Sequence, residues 1–403
     1  MNTNRLPKEF RHFLFARLFF VLGLRMITTI VIYQVFHLAN TYMVGIAGLV
    51  EFVPAIITAL FAGHYIDRHN KKNILIFSYG FYLLCGISLA VISLPQLELT
   101  VHTKLYVILF VVFCTGIIRS FAGPSANSMI AAIVSRDQLP KAISLNSSTW
   151  LLSSIFGHAV GGLMIAFAGI PTAYFMTAAL IITAIVFAVR LHPKPPVKLV
   201  HYDSMIKSIR QGFSFVYNNK NMLGVISLDL FAVLFGGAVA FIPEVADKVL
   251  GAGPIGYGFL NAAMDIGSMV SIAILTWIPM RKKQGLIMML SVVAFGICII
   301  VFGLSKVYWL SFLALGIAGF FDGISVVVRG TIVQLTTPDE LRGRVASINL
   351  IFINSSNELG QFESGITSRW FGSIPAIIFG GAMSLVVVGT TWLKFPKLRK
   401  LEY

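Results

Sequence analysis

Apolar runs about as long as a bilayer is thick recur along this chain, and they constrain its fold more than any other feature. A helix needs ~20 apolar residues to cross the hydrocarbon core. Such runs lie at 13–36, 43–66, 74–94, 105–134, 142–168, 173–191, 221–245, 257–278, 286–304, 308–335, 345–368 and 374–393. Of the 403 residues, 57% are hydrophobic and 12% charged, against ~25% charged in soluble chains. Backbone groups in lipid must be satisfied inside the segment, so each run is read as a helix. The expected fold is an all-α membrane protein with twelve transmembrane helices. A soluble enzyme is excluded.

A net charge of +15 raises nucleic acid as a partner, and the placement of the basic residues answers it. With the N-terminus inside, cytoplasmic segments hold 23 Lys and Arg, while the opposite face holds Lys104, Lys248, Lys306 and Arg369. That imbalance is the positive-inside rule. It implies cytoplasmic termini and no nucleic-acid partner. Arg17, Arg25, Arg119 and Arg329 fall within the helices. The basic start followed by an apolar run imitates a signal peptide but has no small-residue cleavage site, so it reads as an uncleaved first helix. Cys85, Cys114 and Cys298 lie within helices and imply no disulfide framework. The N-x-S matches at Asn146 and Asn354 also sit within helices and are taken as chance.

The longest polar stretch begins HPKPPVK at His192 and runs into the amphipathic segment DSMIKSIRQGFSFVYNN. Prolines and charge mark a linker. Residues 1–191 are the first six-helix bundle, 192–220 the cytoplasmic linker with its amphipathic segment, and 221–403 the second bundle. A shift of 203 positions superposes Asn146, Ser153, Gly157 and Gly162 on Asn349, Ser356, Gly360 and Gly365. Two six-helix repeats in parallel are how the major facilitator architecture is built.

Motifs carry that resemblance further. GHYIDRHNKK (63–72) resembles the major facilitator signature of Gly, three residues, Asp-Arg and paired basics, with Asn70 where Gly is usual. The likeness makes Gly63, Asp67, Arg68 and Lys71 gating residues. Gly63 would let helices approach closely, and Asp67 would face a helix N-terminus. FGHAVGG (156–162) is similar to the Gly-Pro-x-x-Gly-Gly element of proton-driven antiporters, with His158 replacing proline. Gly157, Gly161 and Gly162 are read as helix-packing positions; importers carry such stripes too. The segments 211–224, 226–268 and 331–349 look like the enterobactin-exporter group, also called transmembrane secretion effectors. Known members export siderophores, peptides or drugs, and a nickel-resistance branch exists.

Ionisable residues in mid-membrane cost ~2.5–3.5 kcal/mol each on insertion scales, so they face a cavity or a partner. In the family fold helices one, four, seven and ten line the cavity. By that likeness Arg25, Arg119 and Arg329 are candidate substrate-binding residues; Arg25 and Arg119 make the first-half wall cationic, while Asp229 and Asp322 stand with Arg329 on the second-half wall. Asp229 is the first candidate for proton coupling, with Glu51, Glu358 and Asp322 beside it. A purely structural set of salt bridges is the competing account. Guanidinium forks suit carboxylates and catecholate-like oxygens.

The resulting expectation is a proton-coupled exporter of a small amphipathic molecule, working as a monomer in the bacterial inner membrane. A siderophore is favoured over a drug or peptide. Import of a ferric siderophore and metal-ion efflux are the alternatives. No cofactor, metal site or enzymatic motif is expected: the chain has no H-E-x-x-H, G-x-S-x-G or Walker loop, and its eight His are scattered.

Overall fold

A computed structural model describes residues 6–194, 205–278, 280, 282–338, 341–396 and 398–402. The middle of the linker (195–204) and the side chain of Asn354 lie outside the described residues. The described chain is helical, in the order α1 (Lys8–Leu38), α2 (Thr41–Arg68), α3 (Lys71–Ile92), α4 (Val101–Ile133), α5 (Leu139–Val189), α6 (Met205–Asn218) and α7 (Lys220–Gly236). There follow a single turn α8 (Ile242–Glu244), then α9 (Gly253–Trp277), α10 (Gln284–Leu304), α11 (Tyr308–Thr336), α12 (Arg342–Phe371) and α13 (Ser373–Lys394).

Ten of these segments are long and apolar enough to cross a membrane. Two features reconcile ten with twelve. At ~1.5 Å per residue, α5 would run ~76 Å, more than twice the ~30 Å core. It is bent at Gly169, whose φ of 78° is open to a residue without Cβ, and Pro171 starts a second limb. The fifth and sixth expected spans are these two limbs. The eleventh, α12, is not among the ten, because Asn, Ser, Glu and Gln interrupt its apolar residues. It fits a spanning helix shielded from lipid.

The seventh span differs from expectation. Instead of one helix over 221–245, α7 ends at Gly236, and 3-10, α and π turns carry the chain to Val249. Gly236 and Gly237 are poor helix formers, and Pro243 lacks an amide hydrogen for a continuous ladder. Other helix starts have ordinary causes. Asn70 caps α3 by accepting the Lys72 amide at 3.1 Å, and Asn219 caps α7 through the Met222 amide at 3.1 Å.

The described chain divides into two compact units. The first is Met1–Asn40, Val50–Leu199 and Gly253–Ala262; the second is Thr41–Leu49, Val200–Ala252 and Ala263–Tyr403. The division follows the linker, except that the opening turns of α2 and α9 group with the other unit. In the first unit α1 lies along both limbs of α5. A Cβ at Gly157 would stand 2.6 Å from Cβ of Arg25, so only glycine fits there. Lipid offers no hydrophobic drive between helices, and such close approaches supply the van der Waals contact instead. Phe20 stacks on Tyr79 at 3.9 Å in the same core. In the second unit Leu228, Met288, Val292, Val328 and Val388 interlock α7, α10, α11 and α13. The amphipathic α6 docks there through Val216, which packs with Ile226, Val345 and Ile348.

The outward surfaces suit lipid. Phe110 is exposed within its helix, and Trp277, Trp309 and Trp370 are exposed at helix ends. Aromatic belts at the two interfaces have this pattern.

Candidate functional site: buried charges in the helical units

In the second unit α7 and α11 bring Asp229 and Arg329 into contact. Arg329 Nη1 meets Asp229 Oδ2, and Ser325 Oγ donates to Asp229 Oδ1 at 3.2 Å. Both charged side chains are buried, near 5% exposed. Ser325 and Arg329 are one helical turn apart on α11, so a single face supplies both partners. Asp322 lies two turns before Arg329, with Asp265 of α9 as its acting charged neighbour. Glu358 is buried on α12.

In the first unit Arg119 Nη1 meets Glu51 Oε1 at 3.2 Å, in a pair open to solvent at about a third of its surface. Two residues expected to serve different ends, coupling and substrate binding, are thus each other's partner. Arg25 instead lies over the Trp150 ring, 4.5 Å from its centroid. A cation at this distance over an indole is attracted by the ring's quadrupole.

His158, where the antiporter element has proline, also has a defined contact. The Thr29 hydroxyl donates its one hydrogen to the Arg25 carbonyl at 2.8 Å, so it must accept from His158 Nδ1 at 2.7 Å. His158 is therefore tied to the turn of α1 that carries Arg25. Tyr257 joins the same network by donating to the Thr29 carbonyl at 3.0 Å.

At the linker end of the first unit, Asn70 accepts the Lys194 amide at 3.2 Å as well as the Lys72 amide. Glu9 accepts from the His192 amide at 2.9 Å and from Lys194 Nζ at 3.0 Å. The departure from glycine at 70 therefore provides an acceptor that ties the linker entry to the motif loop. A Cβ at Gly63 would meet no described atom within 4 Å, so no described helix approaches closely at this position. Asp67 ends α2, Arg68 is exposed, and Lys71 is buried in the first turn of α3. No hydrogen bond or ion pair to Asp67 is present among the described residues. Gly161 faces Thr29, and Gly162 meets Gly258, 2.8 Å from a notional Cβ.

Two clusters were not foreseen from sequence. Arg17 is buried and donates to Asn146 Oδ1 at 3.4 Å. Glu244 accepts from Thr41, from Ser373 Oγ at 2.6 Å and from Lys248 at 3.3 Å, joining the starts of α2 and α13. The coincidence of Asn146 with Asn349 in the repeat was the only signal for the first. Nothing in the spacing marked the second.

Two units of membrane helices, one with a buried ion pair and one with a partly exposed pair, are what a solute carrier needs, and family comparison names the group. The model of the Major Facilitator Superfamily matches residues 13–361. The chain belongs to this superfamily. Major facilitators are integral membrane transporters, and this chain is one. Among its relatives are the enterobactin exporters EntS of Shigella boydii serotype 18, 25% identical, and of Shigella flexneri, 24% identical. Each alignment spans 391 residues, 94% of this chain and 92% of the relative. Among solved structures, the nucleoside transporter NupG superposes with a TM-score of 0.80 at 13% identity, covering 96% of this chain and 99% of NupG. A D-xylose-proton symporter gives 0.76 at 14% identity, covering 97% and 98%. These two show the major facilitator fold alone.

Proposed function

We propose that this transporter exports a small anionic amphipathic molecule, a siderophore by preference, in exchange for protons across the bacterial inner membrane. The buried Asp229–Arg329 pair carries the reading, and likeness to enterobactin exporters supports the substrate class. Arg329 holds Asp229 in its charged form; a proton arriving at Asp229 cancels the pair, and loss of the proton restores it. Exchange needs proton and substrate on opposite half-cycles, so the closed pair belongs to the state that carries substrate and the opened pair to the state that returns the proton. Breaking a buried pair without compensation costs ~3–5 kcal/mol, enough to keep the two states distinct. A membrane potential adds ~2.3 kcal/mol per charge per 100 mV, so one proton per cycle gives useful drive.

Alternating access would present the loaded site to each side in turn by rocking of the two repeats. Asp67 has a place in that motion. In the last turn of α2 it sits at the negative end of its own helix dipole, an unfavourable position by ~0.3–1 kcal/mol. A state that brings a helix N-terminus to it would relieve that cost.

The test is transport by the purified protein in liposomes under an imposed pH gradient, with enterobactin or another catecholate siderophore as substrate. Asp229→Asn should abolish gradient-driven movement while binding and substrate exchange persist. Gradient-driven movement at the wild-type rate in that variant would remove Asp229 from the coupling role.

A further inference from the structure

The helix ends away from the linker hold a cavity that the proposed transport cycle does not use. It lies within the first unit and measures about 540 Å³, inside the ~300–1,000 Å³ range of small-molecule sites. It is an open hollow lined by the end of α1, the segment after α3, the start of α4, the bend of α5 and the start of α9. Ile165, Ile170 and Pro254 give it apolar walls, while Gln34, His37 and Lys104 bring polar groups. No Asp or Glu is among its described lining residues.

The polar groups are held in place. Gln34 is buried, and its Oε1 accepts the Tyr174 hydroxyl at 2.9 Å. Ser93 donates its hydroxyl to the Leu89 carbonyl at 2.7 Å, so toward Gln34 it can only accept, which it does from Nε2 at 2.9 Å. The amide orientation is thereby fixed, with a second Nε2 hydrogen still to be placed. His37 Nδ1 donates to the Tyr33 carbonyl at 2.8 Å. The imidazole also lies against Tyr33, with ring centroids 4.0 Å apart. Lys104 stands in the first turn of α4, at the positive end of that helix's dipole, which adds to its own charge.

The geometry points to a second binding site here, for a small aromatic carboxylate. Its anion meets Lys104 and His37, its oxygen takes the remaining Gln34 hydrogen, and its ring lies against Ile165, Ile170 and Pro254. The site shares no residue with the Asp229–Arg329 or Glu51–Arg119 pairs, and it stands whether or not the transport reading does.

Lysine protection in the purified full chain in neutral detergent tests this without transport. Acylation by an impermeant N-hydroxysuccinimide ester is followed at Lys104 by peptide mass spectrometry, with Lys248 and Lys306 as internal references. With 2-naphthoate as probe, Lys104 acylation should slow several-fold while Lys248 and Lys306 keep their rates, and methyl 2-naphthoate should protect little. Gln34→Leu should raise the naphthoate concentration for half-protection by about tenfold, the loss of one hydrogen bond to a charged group. If that variant does not fold, Ile170→Trp, which fills the cavity and removes no hydrogen bond, must give the same loss. Equal protection at all three lysines, protection by the ester, or none at all overturns the site. So does protection of Lys104 by phosphatidylglycerol nanodiscs to which naphthoate adds nothing, an outcome that assigns the cavity to a lipid phosphate.

Discussion

Asp229 and Arg329 form a buried ion pair between α7 and α11, with the Ser325 hydroxyl as a second donor to the same carboxylate. Such a pair is a poor source of stability but an expensive one to halve. Arg329→Met, which leaves Asp229 alone in the interior, should destabilise the purified protein by ~3–5 kcal/mol, read as a lowered thermal midpoint. Asp229→Leu combined with Arg329→Met should recover most of that midpoint, since matched apolar replacements are near neutral. Transport should stay lost in the double variant. Recovery of transport along with stability would make the pair structural only.

Glu51 and Arg119 contrast with that pair, because theirs is about a third open to solvent. Exposed pairs contribute ~0–1 kcal/mol. Glu51→Gln should therefore shift the thermal midpoint very little while lowering the transport rate. A large drop in midpoint with an unchanged rate would reverse the assignment.

Hydropathy alone located the lipid-facing helices, because a bilayer demands the same ~20 apolar residues whatever the fold. The Gly169–Pro171 bend was legible too, since glycine and proline punctuate any helix. By contrast, α12 is polar, and its place as a span was legible chiefly through the repeat that sets Gly157 and Gly162 over Gly360 and Gly365. Side-chain partners were harder. Whether Arg329 meets Asp229 of α7 depends on how α11 is rotated, and a helix apolar on most faces does not encode its rotation. Arg119 illustrates the same limit: depth in the membrane was readable, whereas its partner Glu51 was not. The break of α7 at Gly236–Gly237 was visible as a dipeptide, but the surrounding apolar run outweighed it.

Asn70 serves two amides with one oxygen, those of Lys72 and Lys194. Asn70→Ala should remove the α3 cap at a cost of ~1 kcal/mol and release the linker entry. Hydrogen exchange measured on peptides covering 71–75 and 190–194 should accelerate in both. Acceleration confined to the α3 peptide would show that the Lys194 contact contributes nothing.

By the positive-inside rule, the imbalance of basic residues predicts Lys104 and Lys248 outside and the linker inside. Cysteine substitutions at 104 and 248 should react with an impermeant maleimide in sealed cells, whereas one at Ser204 should react only after permeabilisation. Labelling of the Ser204 variant from outside would invert the topology.

The Arg25 guanidinium carbon stands over the Trp150 ring, 4.5 Å from its centroid. A cation over indole gains ~0.5–2 kcal/mol, and a guanidinium fork suits a carboxylate. Lysine keeps the charge but loses the fork. Arg25→Lys should therefore raise the apparent KM for an anionic substrate by several-fold with little change in maximal rate, and the thermal midpoint should fall by no more than a few degrees. Trp150→Leu, which removes the surface that orients the guanidinium, should shift KM in the same direction. If both variants transport with wild-type KM, Arg25 belongs to helix packing beside Gly157, and the substrate's anion must be met elsewhere, with Arg329 the remaining buried candidate.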